Sequence, residues 1–106
     1  MSWALEFREE ARDDLKRLAH SQQTLVLKGI RKVLTNPLPS AEGGYGKPLG
    51  NHRGVNLTGL MKIKFKDAGL RVVYQIERKD EIMTIIVISV RDDEMVYRLA
   101  AKQMGR

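Results

Sequence analysis

Between Leu60 and Ile76 the chain reads Leu-Met-Lys-Ile-Lys-Phe-Lys-Asp-Ala-Gly-Leu-Arg-Val-Val-Tyr-Gln-Ile, two alternating runs either side of a short turn. In the first run Lys62, Lys64 and Lys66 alternate with Met61, Ile63 and Phe65. In the second, Arg71, Val73 and Gln75 alternate with Leu70, Val72, Tyr74 and Ile76. Period-two alternation marks strands with one face buried, so this stretch is expected to be a β-hairpin. A four-residue loop over 66–69, a common hairpin length, pairs Phe65 with Leu70 and Lys64 with Arg71. A three-residue loop would set Phe65 beside Arg71 and mix the faces, which burial of one face penalises. The four-residue register crowds Lys62, Lys64 and Arg71 onto one exposed sheet face, with the main apolar set, Tyr74 included, on the other.

The flanking sequence supplies the other elements. Trp3, Leu5 and Phe7 alternate as a strand does, and from Arg8 the spacing of Ala11, Leu15 and Leu18 turns helical. His20-Ser21 is read as the break, with Ser21 capping a second helix whose stripe is Val26, Leu27, Ile30, Val33 and Leu34. Asn36-Pro37 stops that helix. Residues 36–54 hold all three prolines and five of the nine glycines and read as one long loop, a flexible flap or a crossover. Its Gly43-Gly44-Tyr45-Gly46-Lys47-Pro48 run is not a phosphate loop, because proline follows the lysine where Ser or Thr is required. A short strand is expected at Val55 to Leu57, a turn at Thr58-Gly59, then the hairpin, then a strand from Ile82 to Val90. Asp92, Asp93 and Glu94 open a closing helix that runs to about Lys102; they suit its N-terminal cap better than a metal site. The order β-α-α-β-β-β-β-α predicts an α+β fold: an N-terminal strand, a helical hairpin, and a mainly antiparallel sheet with a C-terminal helix.

The totals narrow the function. With 106 residues, 42% hydrophobic and 30% charged, the chain suits one domain over 1–106 with a single modest core. It has no cysteine, which excludes disulfides and thiolate metal sites. The first residues lack the basic start and apolar stretch of a signal peptide. The apolar run from Ile82 to Val90 falls well short of the ~20 residues a membrane helix needs. A soluble, cytoplasmic protein is expected. Its 19 Lys and Arg against 13 Asp and Glu give a net charge of +6. That charge suits a polyanion such as nucleic acid, although the same excess also serves plain solubility, and lysines also protect sheet edges.

The hairpin Lys62-Ile-Lys-Phe … Gly69-Leu-Arg-Val-Val-Tyr-Gln-Ile76, followed by Val87-Ile-Ser-Val-Arg91 and Val96-Tyr97, resembles the RelE branch of the RelE/ParE toxin superfamily. The order of elements, including the Lys47-Pro48-Leu49 segment, is similar along nearly the whole chain. The segment from Val90 to Tyr97 is about two residues shorter than the best-known pattern and carries Asp92, Asp93 and Glu94 where that pattern is basic. Met61 stands where an aromatic residue is common. The resemblance implies a toxin of a bacterial toxin–antitoxin pair, a ribosome-dependent endoribonuclease that cuts messenger RNA in the ribosomal A site. It also implies a small cognate antitoxin, no cofactor, no metal and no membrane. By position it implies catalytic roles for Lys62, Lys64, Arg71, Arg91 and Tyr97. Lys47, Arg53 and Lys66 are expected to contact RNA around them.

Residue chemistry suits that assignment. RNA carries its own nucleophile, the 2′-hydroxyl. Cleavage then needs a base, a stabiliser for the pentacovalent dianion, and a proton for the leaving 5′-oxygen. His20, in the inter-helix turn, and His52, in the long loop, read as ordinary surface histidines. Lysine can replace histidine as base where neighbouring cations favour its neutral form. Lys64 is the preferred base with Lys62 steering the phosphate, or the reverse. Arg71 would hold the non-bridging oxygens. Arg91 would stabilise the phosphate or supply the leaving-group proton, an awkward task for a group that stays charged. Tyr97 either meets a nucleotide, by stacking or orienting the 2′-hydroxyl, or is a half-buried helix tyrosine. Two other readings remain open: a non-catalytic ParE-like toxin that binds a DNA-handling enzyme such as gyrase, and a basic nucleic-acid-binding domain without catalysis.

Overall fold

The structure, a computed structural model, describes residues 3–52, 55–90 and 93–105. Strand β1 (Ala4–Phe7) leads into helices α1 (Glu9–Arg17) and α2 (His20–Leu34). Strands β2 (Lys47–His52), β3 (Val55–Phe65), β4 (Leu70–Glu77) and β5 (Ile82–Ser89) follow, and helix α3 (Asp93–Gln103) closes the chain. The sheet order is β1-β5-β4-β3-β2, antiparallel except for β1, which lies parallel to β5. This is the α+β arrangement expected from the sequence.

The hairpin register is the one that alternation dictates: Phe65 pairs with Leu70, Lys64 with Arg71, and Lys62 with Val73. A short 3-10 turn (Lys66–Ala68) and Gly69 close it. Gly69 sits at φ 66°, a left-handed conformation that costs glycine nothing.

Several boundaries differ from the sequence reading. The break between the helices falls at Leu18 and Ala19, both extended, and α2 starts at His20 with Ala19 as its N-cap. Ser21 therefore lies inside the helix and caps nothing. Gln23 joins the two helices instead, its side-chain amide donating to the Leu18 carbonyl at 3.0 Å and the Lys16 carbonyl at 3.4 Å. The loop expected over 36–54 is shorter, because β2 occupies its second half at the sheet edge. Pro48 is tolerated there, since an edge strand pairs on one side only. No turn interrupts β3 at Thr58-Gly59. Pro48 pairs with Met61 and Gly50 with Leu57, so residues 58–60 bulge opposite Leu49 in one continuous strand.

The first half of that loop is a hydrogen-bonded crossover. Tyr45 N–H donates to the Asn36 carbonyl (2.9 Å), Gly46 N–H to Leu38 (2.9 Å) and Ser40 N–H to Gly46 (2.8 Å). The buried Tyr74 hydroxyl donates to the Pro37 carbonyl at 3.0 Å. A side chain at Gly46 is impossible without movement: a Cβ would lie 2.5 Å from the Met61 sulfur and 2.6 Å from the Tyr74 hydroxyl oxygen. Arg78 and Glu42 clamp the crossover to the β4–β5 turn through two hydrogen bonds, 2.9 and 2.7 Å. The Arg78 guanidinium holds the Glu42 carboxyl below its usual range.

The sheet buries apolar side chains on both faces, where a single core was expected. Under α1 and α2 lie Ala11, Val26, Ile30, Val33, Met61, Leu70, Val72, Tyr74, Met83, Ile85 and Ile88. Under α3 lie Leu57, Leu60, Val73, Ile86, Val87, Val96, Tyr97, Ala100 and Ala101. A bulge in β5 makes the second core possible. Val73 pairs with Val87 but Tyr74 with Ile85, so the extra residue Ile86 joins Val87 on the α3 face.

Two outcomes test this packing. Val72 is fully buried, so Val72→Asp, which strands a charge in the core, is expected to abolish cooperative unfolding. Tyr74→Phe should cost about 1–3 kcal/mol in urea titrations, because the Pro37 carbonyl loses its donor. Burial raises the Tyr74 phenol above its ordinary value, so the stability tied to its protonation is complete below pH ~10 and declines as pH rises beyond that. The gap between parent and Tyr74→Phe should therefore narrow by up to ~1.4 kcal/mol per pH unit above pH ~10.

Candidate active site

Paired residues in adjacent antiparallel strands point the same way, as do residues two apart in one strand. The register therefore gathers the candidate cations. Lys47 on β2 pairs with Lys62 on β3, and Lys64 pairs with Arg71 on β4. Two like-charged cross-strand pairs thus stand side by side on one face. Each such pair can cost a sheet up to ~1 kcal/mol. Arg71 in turn pairs with Ser89 at the end of β5, so the second row reads Lys64, Arg71, Ser89.

This is the face that α3 covers, so it is not the fully exposed surface expected from the hairpin alone. The helix packs on β3, β4 and β5, filling the area around Leu60 and Val73 and leaving the cations at its rim. Lys64, Lys66 and Lys47 are exposed, while Lys62 and Arg71 are half-buried. A shallow cleft of about 210 Å³ opens beside the hairpin tip, lined by Lys64, Phe65, Lys66, Gly69, Leu70 and Arg71. Lys66 reaches it from the 3-10 turn rather than from the strand.

Tyr97 comes down from α3 and is only 5% exposed. The Lys62 ammonium donates to its hydroxyl oxygen at 3.2 Å and lies 5.8 Å from its ring centroid. The ring packs within the α3-side core, an arrangement suited to holding Lys62 and closed to face-on stacking with a base. Of the two readings left open for Tyr97, burial favours the helix tyrosine, with its hydroxyl engaged at the site.

The structure thus brings together Lys47, Lys62, Lys64, Lys66, Arg71 and Tyr97. Arg53 and Arg91 lie outside the described residues. His20 begins α2, which packs on the far side of the sheet, and His52 ends the edge strand β2. Ser89 escaped the sequence reading. Its place beside Arg71 depends on the β5 bulge, which the apolar stretch Ile85–Ile88 does not reveal. Among the described residues no cluster of three or more His, Asp or Glu is placed to hold a metal, and no helix is long and apolar enough to cross a membrane.

Known proteins show the same organisation. A family model described as the ParE toxin of type II toxin–antitoxin systems, parDE, matches residues 5–97. A RelE-like toxin protein of Escherichia coli is 30% identical over 105 residues, covering 98% of this chain and 99% of that protein. The mRNA interferase toxin RelE of Escherichia coli is 26% identical over 104 residues, covering 98% and 99%. Among solved structures, a double mutant of E. coli toxin RelE in the free state superposes with a TM-score of 0.74 at 25% identity, covering 98% of this chain and 99% of that one. The same mutant bound to an antitoxin RelBc peptide gives 0.69 at 23% identity over 94% and 95%, a likeness of fold.

The two contributions of Tyr97 are separable. Tyr97→Ala should cost about 3–5 kcal/mol of stability by emptying part of the α3-side core. Tyr97→Phe keeps the ring and should cost under ~1.5 kcal/mol. Urea unfolding of both variants checks this, and equal losses would show that the hydroxyl, not the ring, carries the stability.

Proposed function

Because the chain belongs to the ParE toxin family of type II toxin–antitoxin systems, within the RelE/ParE superfamily, we propose that it is a toxin of the RNA-cutting kind, a ribosome-dependent endoribonuclease acting on messenger RNA in the A site. The observation that carries this reading is the pair of adjacent like-charged cross-strand contacts, Lys47–Lys62 and Lys64–Arg71. Four cations gathered on one face, one of them an arginine able to make bidentate contacts, suit the phosphates of an RNA strand. The relatives named mRNA interferase support the same class of activity.

In the proposed reaction the 2′-oxygen attacks the adjacent phosphorus as its proton leaves, the bond from phosphorus to the 5′-oxygen breaks, and that oxygen takes up a proton. The products carry a 2′,3′-cyclic phosphate and a 5′-hydroxyl. Lys64, exposed beside Arg71, is assigned the proton abstraction. Lys62, held by Tyr97, is assigned to steering the phosphate, and Arg71 to the non-bridging oxygens as their charge grows. Arg91 keeps, by resemblance, a role at the phosphate or leaving group. Lys47, Lys66 and Arg53 would hold the strand on either side. No step draws on a metal or cofactor.

The toxin would act in the cytoplasm, where messages are translated. Its partner is expected to be a small antitoxin with an acidic or amphipathic segment that covers the Lys62, Lys64 and Arg71 face or displaces α3. The description of the matched family model keeps one alternative in view, a non-catalytic toxin that binds a DNA-handling enzyme such as gyrase.

Expression should arrest translation and leave messages cut with cyclic phosphate ends. Lys64→Ala and Arg71→Ala should each slow cleavage on ribosomes ~100–1,000-fold, the usual effect of removing one preorganised group, with ribosome association much less changed. Growth arrest with intact messages and stalled gyrase would establish the alternative. Parent-rate cleavage by both folded variants would move the chemistry elsewhere.

A further inference from the structure

A second concentration of positive charge lies across the sheet from the site. Helix α2 buries Val26, Ile30 and Val33. At 3.6 residues per turn, Lys28, Arg31 and Lys32 fall on the opposite, outward side, and all three are exposed. The helix has no Asp or Glu in its whole length. Among the described residues none of the three cations has an ion-pair partner. Arg31 and Lys32 in the last turn suit the helix dipole, but that accounts neither for Lys28 nor for the missing acids. The Lys32 ammonium is held over Tyr45, 5.4 Å from the ring centroid.

This patch is continuous with the site around the hairpin tip. Gly29 lets α2 lie directly on Phe65, whose Cζ would sit 2.5 Å from a Cβ at that position. Leu25, Phe65, Lys66, Asp67 and Ala68 line a small cleft between helix and tip. Lys66 also lines the larger cleft with Lys64 and Arg71. Lys66 thus links the cleft of Lys64 and Arg71 to the one beside α2, and among the described residues Asp67 is the one acid lining either.

We propose that the outward face of α2, continued by Lys66, is a second RNA-binding surface that grips the phosphate backbone of a double-helical RNA while the strand to be cut lies across the sheet. The inference rests on the RNA-cutting reading and adds a second, structured RNA element to it. The chemistry of the face selects a duplex over an unpaired strand. Single-strand sites stack successive bases on several aromatic rings, whereas the one ring beside these cations, Tyr45, carries the Lys32 ammonium over it, and the Thr24 and Thr35 hydroxyls donate to the His20 and Lys32 carbonyls. Cations spaced along a helix suit phosphates held in a fixed array and recognised by shape. Lys28 and Lys32 stand one turn apart, about 6 Å along the axis, on a rigid rod that can meet successive phosphates.

Fluorescence anisotropy with the full chain tests this, using a labelled RNA duplex of about 16 base pairs, the span a duplex-binding domain covers, and one of its strands alone. The triple variant Lys28→Ala, Arg31→Ala, Lys32→Ala should bind the duplex at least ~10-fold more weakly, with the slope of log K against log salt reduced by about 2–3. Lys28→Arg with Lys32→Arg should bind as the parent does, and Lys64→Ala should leave duplex affinity nearly unchanged. The proposal is overturned if the folded triple variant binds the duplex with the parent's affinity and salt slope, or if duplex affinity falls with Lys64→Ala instead. It is equally overturned if the triple variant loses only the antitoxin, which would make α2 a protein-docking face. A parent that grips the duplex through α2 yet cuts no message on ribosomes leaves this surface standing and removes the nuclease reading, so the two failures are distinguishable.

Discussion

The register of β3 against β4 is the constraint on which everything else depends. Ile63, Phe65, Val72 and Tyr74 point under α1 and α2 because Phe65 pairs with Leu70. A slip of one residue would exchange them for Lys62, Lys64 and Arg71. The force that fixes the slip is burial, worth about 1.5–3 kcal/mol for each large apolar side chain. The repulsion between facing cations, up to ~1 kcal/mol per pair, is too small to undo it. Core and site are therefore two readings of one alternation.

The other face shows how far a site can share a sheet with a core. Helix α3 fills the area around Leu60 and Val73 and stops at the cations, and Tyr97 marks the boundary, its ring in the core and its hydroxyl on Lys62. A side chain that belongs to both regions ties the position of a charge to the seating of a helix. Ser89 enters the same row from β5.

Alternation made the hairpin legible before any coordinates, since only one register separates lysine from isoleucine and phenylalanine. The stripe of α2 was legible from the helical spacing of its apolar residues, and the closing helix from the acids that open it. What escaped lacked a local signal. The three prolines and the glycines of 36–54 hide β2, whose place at the edge relaxes the rules against them. Thr58-Gly59 looks like a turn and is a bulge, because β2 on one side and β4 on the other hold the strand together. Leu18-Ala19 carries no capping chemistry, and Gln23, five residues on from Leu18, supplies the bond that ends α1. The extra residue in β5 is invisible within Ile85–Ile88, where every position is apolar, so Ser89 could not be placed.

Strand β1 runs parallel to β5, with Ala4 beside Ile82 and Phe7 beside Ile85. Pairing the start of the chain with a strand near its end requires closure of almost the whole polypeptide, a contact that forms late and slowly. On a ribosome the N-terminal strand has no partner until β5 has cleared the exit tunnel, and α3, which seats Tyr97 on Lys62, comes later still. The polypeptide cannot complete its sheet while most of itself is unmade.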